Sequence, residues 1–169
     1  MTEQRHRVLL LDDEERIIRS FSAALDDEKY LFSGFTTPED FQAAVLGDPM
    51  PAILVVDHDL SRGTDLTGYH VVREIRTQHP FGLILPIIYY SARENPMGFV
   101  NNSAKDLMFS PSAMVAKNDD DAVYVAVDRA AEALGQVLAL AAHQALEQSF
   151  LTPGNINEDD FDFSDVDHE

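Results

Sequence analysis

The sequence contains no cysteine among its 169 residues. It can therefore form no disulfide bond, no thiolate metal site and no cysteine nucleophile. It also lacks a run of about 18 apolar residues, so we expect no membrane-spanning helix. The first 30 residues carry charges throughout and lack the apolar core of a signal peptide. These absences favour a cytoplasmic protein.

Basic residues are scarce as well. Twelve Lys and Arg stand against 30 Asp and Glu, which gives a net charge of −18. Such a surface repels nucleic acid unless basic residues cluster somewhere. Here they are scattered, and none occurs after Arg129. We therefore expect no direct contact with nucleic acid, and a protein or a cation is the more natural partner.

What the sequence does contain is an alternation of short apolar runs and longer amphipathic segments. The runs predict strands at 7–11, 30–35, 52–56, 87–91 and, more weakly, 112–116. The amphipathic segments predict helices at 14–25, 36–47, 68–80 and from Asp119 to about Phe150, with a loop and a short helix within 93–110. Five successive β–α units with apolar strands predict an α/β fold, a doubly wound five-stranded parallel sheet covered on both faces.

Polar side chains follow four of the five predicted strands. They are Asp12 and Asp13 after the first, Asp57 after the third, Ser91 at the end of the fourth and Lys117 after the fifth. Because ligands of such sheets bind beyond the carboxyl ends of the strands, we expect these five side chains at one edge. Carboxylates suit Mg²⁺, while a hydroxyl and an ammonium can bind phosphoryl oxygens. A bound cation would also explain how two adjacent acids are tolerated after a buried strand.

Together these motifs resemble the receiver domain of two-component response regulators, over about residues 6–130. The segment "VLLLDDEERI" is similar to the family's apolar run and acidic pair, and "ILVVDHDL" to the strand bearing the phospho-accepting Asp. The segments "PIIYYSA" and "SAMVAK" resemble the Pro-led fourth strand and the strand that ends in Lys. The resemblance implies a flavodoxin-like receiver fold with a long C-terminal helix, and a stand-alone receiver without a fused output domain.

The resemblance also implies a phosphorylation-dependent signalling switch. Asp57 would accept a phosphoryl group from a histidine kinase or a phosphorelay partner, with Mg²⁺ as cofactor, and Ser91 and Lys117 would bind the phosphoryl oxygens. The implied ligands of Mg²⁺ are Asp13 and Asp57 directly, Asp12 through water and Asp59 by its backbone carbonyl. Beyond this self-catalysed transfer and slow autodephosphorylation, no enzymatic turnover is implied, and the output would be altered contacts with a downstream protein.

Three features depart from the family pattern. Met114 stands where receivers carry an aromatic switch residue, which implies an altered coupling to Ser91. Asn118 stands where a cis-prone Pro follows the Lys, and a non-proline cis bond costs about 3 kcal/mol, so the strain is retained or the loop is reshaped. The loop after Asp57 is longer than usual and brings Asp59 and Asp65 near the site.

Two neighbours of Asp57 each have two interpretations. The Asp59 carboxylate either tunes loss of the phosphoryl group, by repelling or orienting the attacking water, or is a solvated loop acid. His58 could serve as a general base. Adjacent residues of an extended chain point to opposite sides, however, which favours a packing or solvent-facing histidine.

The C-terminal third is predicted to extend beyond the receiver. We predict a receiver domain at 1–130, an extension of the last helix at 131–151 and an acidic, disordered tail at 152–169. The helix carries an apolar stripe made of Val123, Val127, Ala130, Leu134, Leu138, Ala141 and Ala145. Its protruding half is predicted to form a homodimer or to bind a partner helix, whereas a break at Gly135 would favour folding back on the domain. The tail is either merely solvated, or docks on a basic partner groove or masks a site.

The sequence leaves two rival functions open. "ILVVDHDL" also resembles the nucleophile strand of haloacid-dehalogenase-type phosphatases, although that family places its nucleophile on the first core strand. A degenerate receiver would be a binding module that is no longer phosphorylated, an alternative raised by the altered neighbours of Lys117. Turnover of p-nitrophenyl phosphate would favour the phosphatase, and phosphorylation with Mg²⁺ would exclude the degenerate receiver.

Overall fold

A computed structural model describes residues 5–60, 68–92 and 113–151. Its strands are β1 (His6–Leu11), β2 (Tyr30–Phe35), β3 (Ile53–Val56), β4 (Ile87–Ser91) and β5 (Ala113–Ala116). Its helices are α1 (Glu15–Ala24), α2 (Pro38–Leu46), α3 (Gly68–Gln78) and α4 (Asp120–Leu151). The strands form one parallel sheet in the order β2-β1-β3-β4-β5, so the predicted fold is confirmed. The loop and short helix predicted within 93–110 lie outside the described residues.

Apart from the first two residues of β1, the three central strands are buried on both faces, as their mostly apolar sequences predict. On one face the strands and helices α2 and α3 share a core that contains Leu9, Leu11, Phe41, Val56, Val72, Ile75 and Tyr89. On the other face Phe21 of α1 lies against both Tyr90 of β4 and Tyr124 of α4. Helices therefore cover both faces and leave the strand ends to carry the polar groups.

A buried arginine fixes the turn that leads into β4. Arg76 of α3 donates from Nη1 to the backbone carbonyls of Gly82 (2.5 Å) and Leu85 (3.3 Å). Burial lowers the pKa of the Arg76 guanidinium, and the electrostatic interaction with Tyr89 acts in the opposite direction. Gly82 lies so close that a Cβ there would be 2.3 Å from the Arg76 carbonyl oxygen. The turn thus depends on the Arg76 guanidinium and on the absence of a side chain at Gly82.

The chain divides into two units, Met1–Leu134 and Gly135–Glu169, and the boundary falls within α4, which continues through Gly135. Of the predicted stripe, the members in the first unit are buried: Val123, Val127, Ala130 and Leu134. In the second unit Leu138 is half-buried, and Ala141 and Ala145 are exposed. Across the ranges described above, none of the helices is long and apolar enough for a transmembrane span. The predicted tail lies outside those ranges.

Candidate functional site

The site begins where β1 and β3 end side by side. The Asp57 N–H donates to the Leu11 carbonyl (2.8 Å), which extends the pairing of the two strands by one residue. This places Asp12 and Asp57 at the same edge, and both side chains are buried. Asp13 is half-buried beside them, and one carboxylate oxygen from each of the three acids lies within 4.8 Å of the others.

Lys117 arrives at the same edge from β5. Its backbone N–H donates to the Ser91 carbonyl (2.8 Å), which continues the β4–β5 ladder. Its Nζ lies 2.7 Å from Asp12 Oδ2 and 2.8 Å from Asp57 Oδ2. It also lies 5.9 Å from the ring centre of Tyr90, and only 11% of the lysine side chain is exposed. One ammonium therefore bridges two carboxylates that would otherwise repel each other in a poorly hydrated site.

Burial and ion pairing shift the pKa values of this cluster. Burial raises the pKa of Asp12, and the hydrogen bonds from Lys117 and from the Glu14 N–H reduce that rise without cancelling it. Burial alone would lower the pKa of Lys117, but its hydrogen bonds to Asp12 and Asp57 outweigh burial and raise it. The lysine is thus held in its charged form by the acids that it bridges.

Backbone groups orient both bridged carboxylates. Asp12 Oδ1 accepts from the Glu14 N–H (2.9 Å), and Asp57 Oδ1 accepts from the Asp59 N–H (3.1 Å). The other oxygen of each carboxylate contacts Lys117. Each of these two side chains is consequently held at both carboxylate oxygens.

Three further polar side chains adjoin the acidic cluster. Ser91 Oγ donates to Asp59 Oδ2 over 3.5 Å, and His58 Nδ1 lies 3.2 Å from Asp59 Oδ1. The His58 ring is buried and meets the Tyr89 ring edge-on, with 6.2 Å between ring centres. His58 is therefore a packed histidine, one of the two environments expected of it. The Asp59 carboxylate therefore has a polar neighbour at each of its two oxygens.

The chain resembles known proteins in part of its sequence. No family model matches the chain. The alginate biosynthesis transcriptional regulatory protein AlgB of Pseudomonas syringae pv. tomato is 29% identical over 113 residues, which are 65% of this chain and 24% of AlgB. AlgB of Pseudomonas aeruginosa is 26% identical over 110 residues. The chain spans about a quarter of the length of the curated relatives it matches.

Solved structures of other proteins are similar to this chain in fold. The chemotaxis response regulator CheY4 of Vibrio cholerae superposes with a TM-score of 0.60 at 16% identity, over 75% of this chain and 99% of that one. A CheY-like response regulator receiver domain protein from Methanospirillum hungatei gives 0.61 at 18% identity, over 79% and 99%. This chain has the fold of response regulator receiver domains. Two features of this edge remain, and only the first was not anticipated from the sequence.

The first is Gly68, at the start of α3. A Cβ at this position would lie 2.2 Å from the Asp57 carbonyl oxygen and 2.8 Å from Val56 Cγ1. The Gly68 N–H also donates to the His58 carbonyl (3.1 Å). The backbone of α3 thus packs directly against the backbone of the acidic strand end. The available sequence signal for this close packing was a glycine at the first position of the predicted helix 68–80.

The second is the environment of the position where receivers carry the aromatic switch residue. Met114 pairs with Tyr89 across β4 and β5 and packs against the core beside α3. An aromatic ring is therefore present on the same face of the sheet, one strand away from the methionine. Asn118 lies in the turn between β5 and α4, where the Asp119 N–H donates to the Ala116 carbonyl (3.1 Å).

The donor set of the cluster fits a divalent cation. Asp12, Asp13 and Asp57 present oxygen ligands of the kind that Mg²⁺ prefers, close enough to one another to share an ion. Lys117 places one positive charge between two of these acids, so it offsets part of their negative charge. The Asp59 carbonyl is the fourth predicted ligand, and Asp65 lies outside the described residues.

Proposed function

We propose that the chain is a phosphorylation-dependent signalling switch in which Asp57 accepts a phosphoryl group. The observation that carries the proposal is the single ammonium of Lys117, which binds Asp57 and Asp12 from a third strand. A structural salt bridge needs only one acid. Two buried acids sharing one cation, with a third acid beside them, form an arrangement suited to a dianionic group held by cations.

The proposed chemistry is transfer to a carboxylate. An oxygen of Asp57 attacks phosphorus, a P–O bond forms, and the P–N bond of a phosphohistidine breaks, with its electron pair remaining on the imidazole nitrogen. Lys117 follows the developing negative charge from the carboxylate to the phosphoryl oxygens, and the Ser91 hydroxyl donates a hydrogen bond to one of them. Asp12, Asp13, Asp57 and the Asp59 carbonyl would hold Mg²⁺. When bound, the ion supplies positive charge to the phosphoryl oxygens.

The test is stoichiometric labelling. Wild-type protein incubated with acetyl phosphate and Mg²⁺ should gain the mass of one phosphoryl group, measured on intact protein, because Asp57 is the sole acceptor. The matched control is Asp57→Asn, which keeps the size and removes the nucleophile, and a second control replaces Mg²⁺ with EDTA. Labelling of Asp57→Asn to the same extent would refute the assignment of the acceptor.

The same preparation tests the rival functions. Sustained release of nitrophenol from p-nitrophenyl phosphate, abolished in Asp57→Asn, would replace the switch with a phosphatase of the haloacid-dehalogenase type. Failure of the wild type to take up either a phosphoryl group or beryllofluoride would leave a degenerate receiver that acts only as a binding module. One equivalent of label without turnover is the expected result.

The partners follow from the phosphoryl chemistry. We propose that a histidine kinase or a phosphotransfer protein donates the group, in the cytoplasm where ATP supplies it, and that a downstream protein partner reads the phosphorylated state. Direct contact of this chain with nucleic acid is not proposed, because its net charge of −18 opposes binding to phosphates.

We also propose that α4 mediates a homodimer. The segment 137–142 reads VLALAA and is apolar on every side, yet the side chains of Val137 and Leu140 are 43% and 59% exposed in the single chain. Leu146 further along is 58% exposed. A helix that is apolar all round is normally buried, and a second copy offers the same surface in return.

Solution mass tests the dimer. Light scattering should give twice the chain mass for the wild type and a lower mass for Leu140→Gln. The matched control is Leu83→Gln, the same chemical change at a turn residue that is 68% exposed. A monomeric wild type, or equal dissociation by the two substitutions, would contradict the assignment to α4. Repeating the measurement with beryllofluoride reports whether phosphorylation controls the assembly.

A further inference from the structure

The two residues that follow the proposed acceptor connect it to β4. Asp59 uses both carboxylate oxygens: Oδ1 faces His58 Nδ1 at 3.2 Å, and Oδ2 accepts from Ser91 Oγ at 3.5 Å. The Asp59 N–H meanwhile donates to Asp57 Oδ1. His58, Asp59 and Ser91 thus form a continuous polar chain, which we call the His58–Asp59–Ser91 bridge, beside the phospho-accepting carboxylate.

Each end of this bridge has a distinct physical character. His58 is buried, its carbonyl accepts from Gly68, and its ring packs edge-on against Tyr89, so its Nδ1 is held in place by the core. The contact between Ser91 and Asp59, at 3.5 Å, is long for an O–H···O hydrogen bond and therefore weak. His58 is thus held firmly in place, whereas Ser91 can readily exchange its hydrogen bond to Asp59 for one to another acceptor.

We propose that His58 is a positioning residue that acts through Asp59 on Ser91, an inference that rests on the function proposed above and deepens it. A serine hydroxyl has one proton to donate. In the unphosphorylated protein Asp59, whose carboxylate His58 holds in position, accepts a weak hydrogen bond from that hydroxyl. A phosphoryl group on Asp57 must compete for it, so the bridge sets how readily Ser91 turns to the phosphoryl group.

A double-mutant cycle tests the bridge without any phosphoryl chemistry. His58→Phe removes the donor and keeps an aromatic ring, and Ser91→Ala removes the hydroxyl. Unfolding in urea should show non-additivity equivalent to about a two- to fivefold change in the folding equilibrium constant, as expected for coupled neighbours. The coupling should disappear when the cycle is repeated in an Asp59→Ala background. Additivity, or coupling that survives without the Asp59 carboxylate, would overturn the proposal.

Affinity for beryllofluoride with Mg²⁺ then tests the competition, followed by tyrosine fluorescence. His58→Phe should tighten binding about two- to fivefold when Ser91 is present and leave it unchanged in the Ser91→Ala background. His58→Asn, which keeps an N–H near the position of Nδ1, should behave like the wild type. An equal shift in both backgrounds would show an effect on packing alone and overturn the proposal. Should His58→Phe fail to fold, the same comparison is made with Asp59→Asn.

The two proposals fail in different ways. If the wild type does not bind beryllofluoride, the phosphorylation switch is refuted, and the competition at Ser91 falls with it, whatever the urea cycle gives. If the wild type binds beryllofluoride and both cycles are additive, the switch stands and the bridge alone is refuted.

Discussion

Replacing Lys117 with methionine should reveal the electrostatic repulsion between Asp12 and Asp57 that this residue offsets. The substitution keeps most of the length and apolar volume of the side chain and removes its charge. Asp12 and Asp57 would then face each other at a buried strand end without the cation that now lies 2.7 Å and 2.8 Å from their oxygens. The protein should be destabilised, and the loss should depend on whether another cation is supplied.

The structure gives a magnitude for this loss. At an effective dielectric constant of 20, each contact corresponds to about 6 kcal/mol of Coulomb attraction. Desolvation of the ammonium and repulsion between the two acids offset most of that attraction. Removing one partner from a buried ion pair costs about 3–5 kcal/mol. Taking the lower limit, because Lys117 retains some exposure, we expect a loss of about 3 kcal/mol at pH 7 in EDTA, or about 6–12 °C in Tm.

Urea unfolding followed by circular dichroism measures the effect. The matched control is Lys29→Met, because Lys29 is 63% exposed and only 3.9 Å from Asp26; it should change stability by less than about 1 kcal/mol. Adding Asp57→Asn to Lys117→Met should restore much of the loss, because it removes one of the two opposed charges. Mg²⁺ should stabilise Lys117→Met more than the wild type. A Lys117→Met protein as stable as the wild type in EDTA would refute the reasoning.

Three other predictions follow from the described contacts. Gly68→Ala should cost about 1–3 kcal/mol and slow labelling by acetyl phosphate, because its Cβ would lie 2.2 Å from the Asp57 carbonyl oxygen; an unchanged rate would contradict this. Since the pKa of Asp12 is raised, the wild type should gain stability relative to Asp12→Asn as the pH falls from 7 through that raised pKa towards about 3.9, measured by urea unfolding in EDTA; a difference that does not change with pH would contradict it. Arg76→Met should lose about 1–3 kcal/mol, because the Gly82 carbonyl loses its buried donor; a midpoint in urea equal to that of the wild type would exclude this role.

The fold was largely predictable because its signals are local. A strand buried on both faces is apolar at most positions, and the runs that became β1, β3 and β4 were located to within one residue. The start of α2 was predicted for a similar reason. Thr37 caps that helix by accepting from the Asp40 N–H, and Pro38 follows in its first turn.

The contacts within the site were less predictable because they join distant parts of the chain. Strand ends indicated which residues share an edge, but not that one lysine would bind two acids, with Asp12 and Lys117 far apart in sequence. The sequence does not indicate the direction of a side chain in a loop either, and the contact between Asp59 and Ser91 depends on that direction. The pair formed by the Tyr30 hydroxyl and Asp128, 98 residues apart, has no local signal at all.

The sharing of Lys117 links Asp57, the proposed acceptor, to two other elements. Any movement of its ammonium towards a phosphoryl group on Asp57 weakens its contact with Asp12, whose carboxylate has no other side-chain cation among the described contacts. Asp12 opens the segment that leads into α1, through the Glu14 N–H, while Lys117 itself stands two residues before Asp119, which caps α4 by accepting from the Ala122 N–H. The proposed phosphorylation of Asp57 would therefore change the charge balance at the starts of α1 and α4 together, since a single ammonium cannot remain optimal for both carboxylates once one of them gains charge.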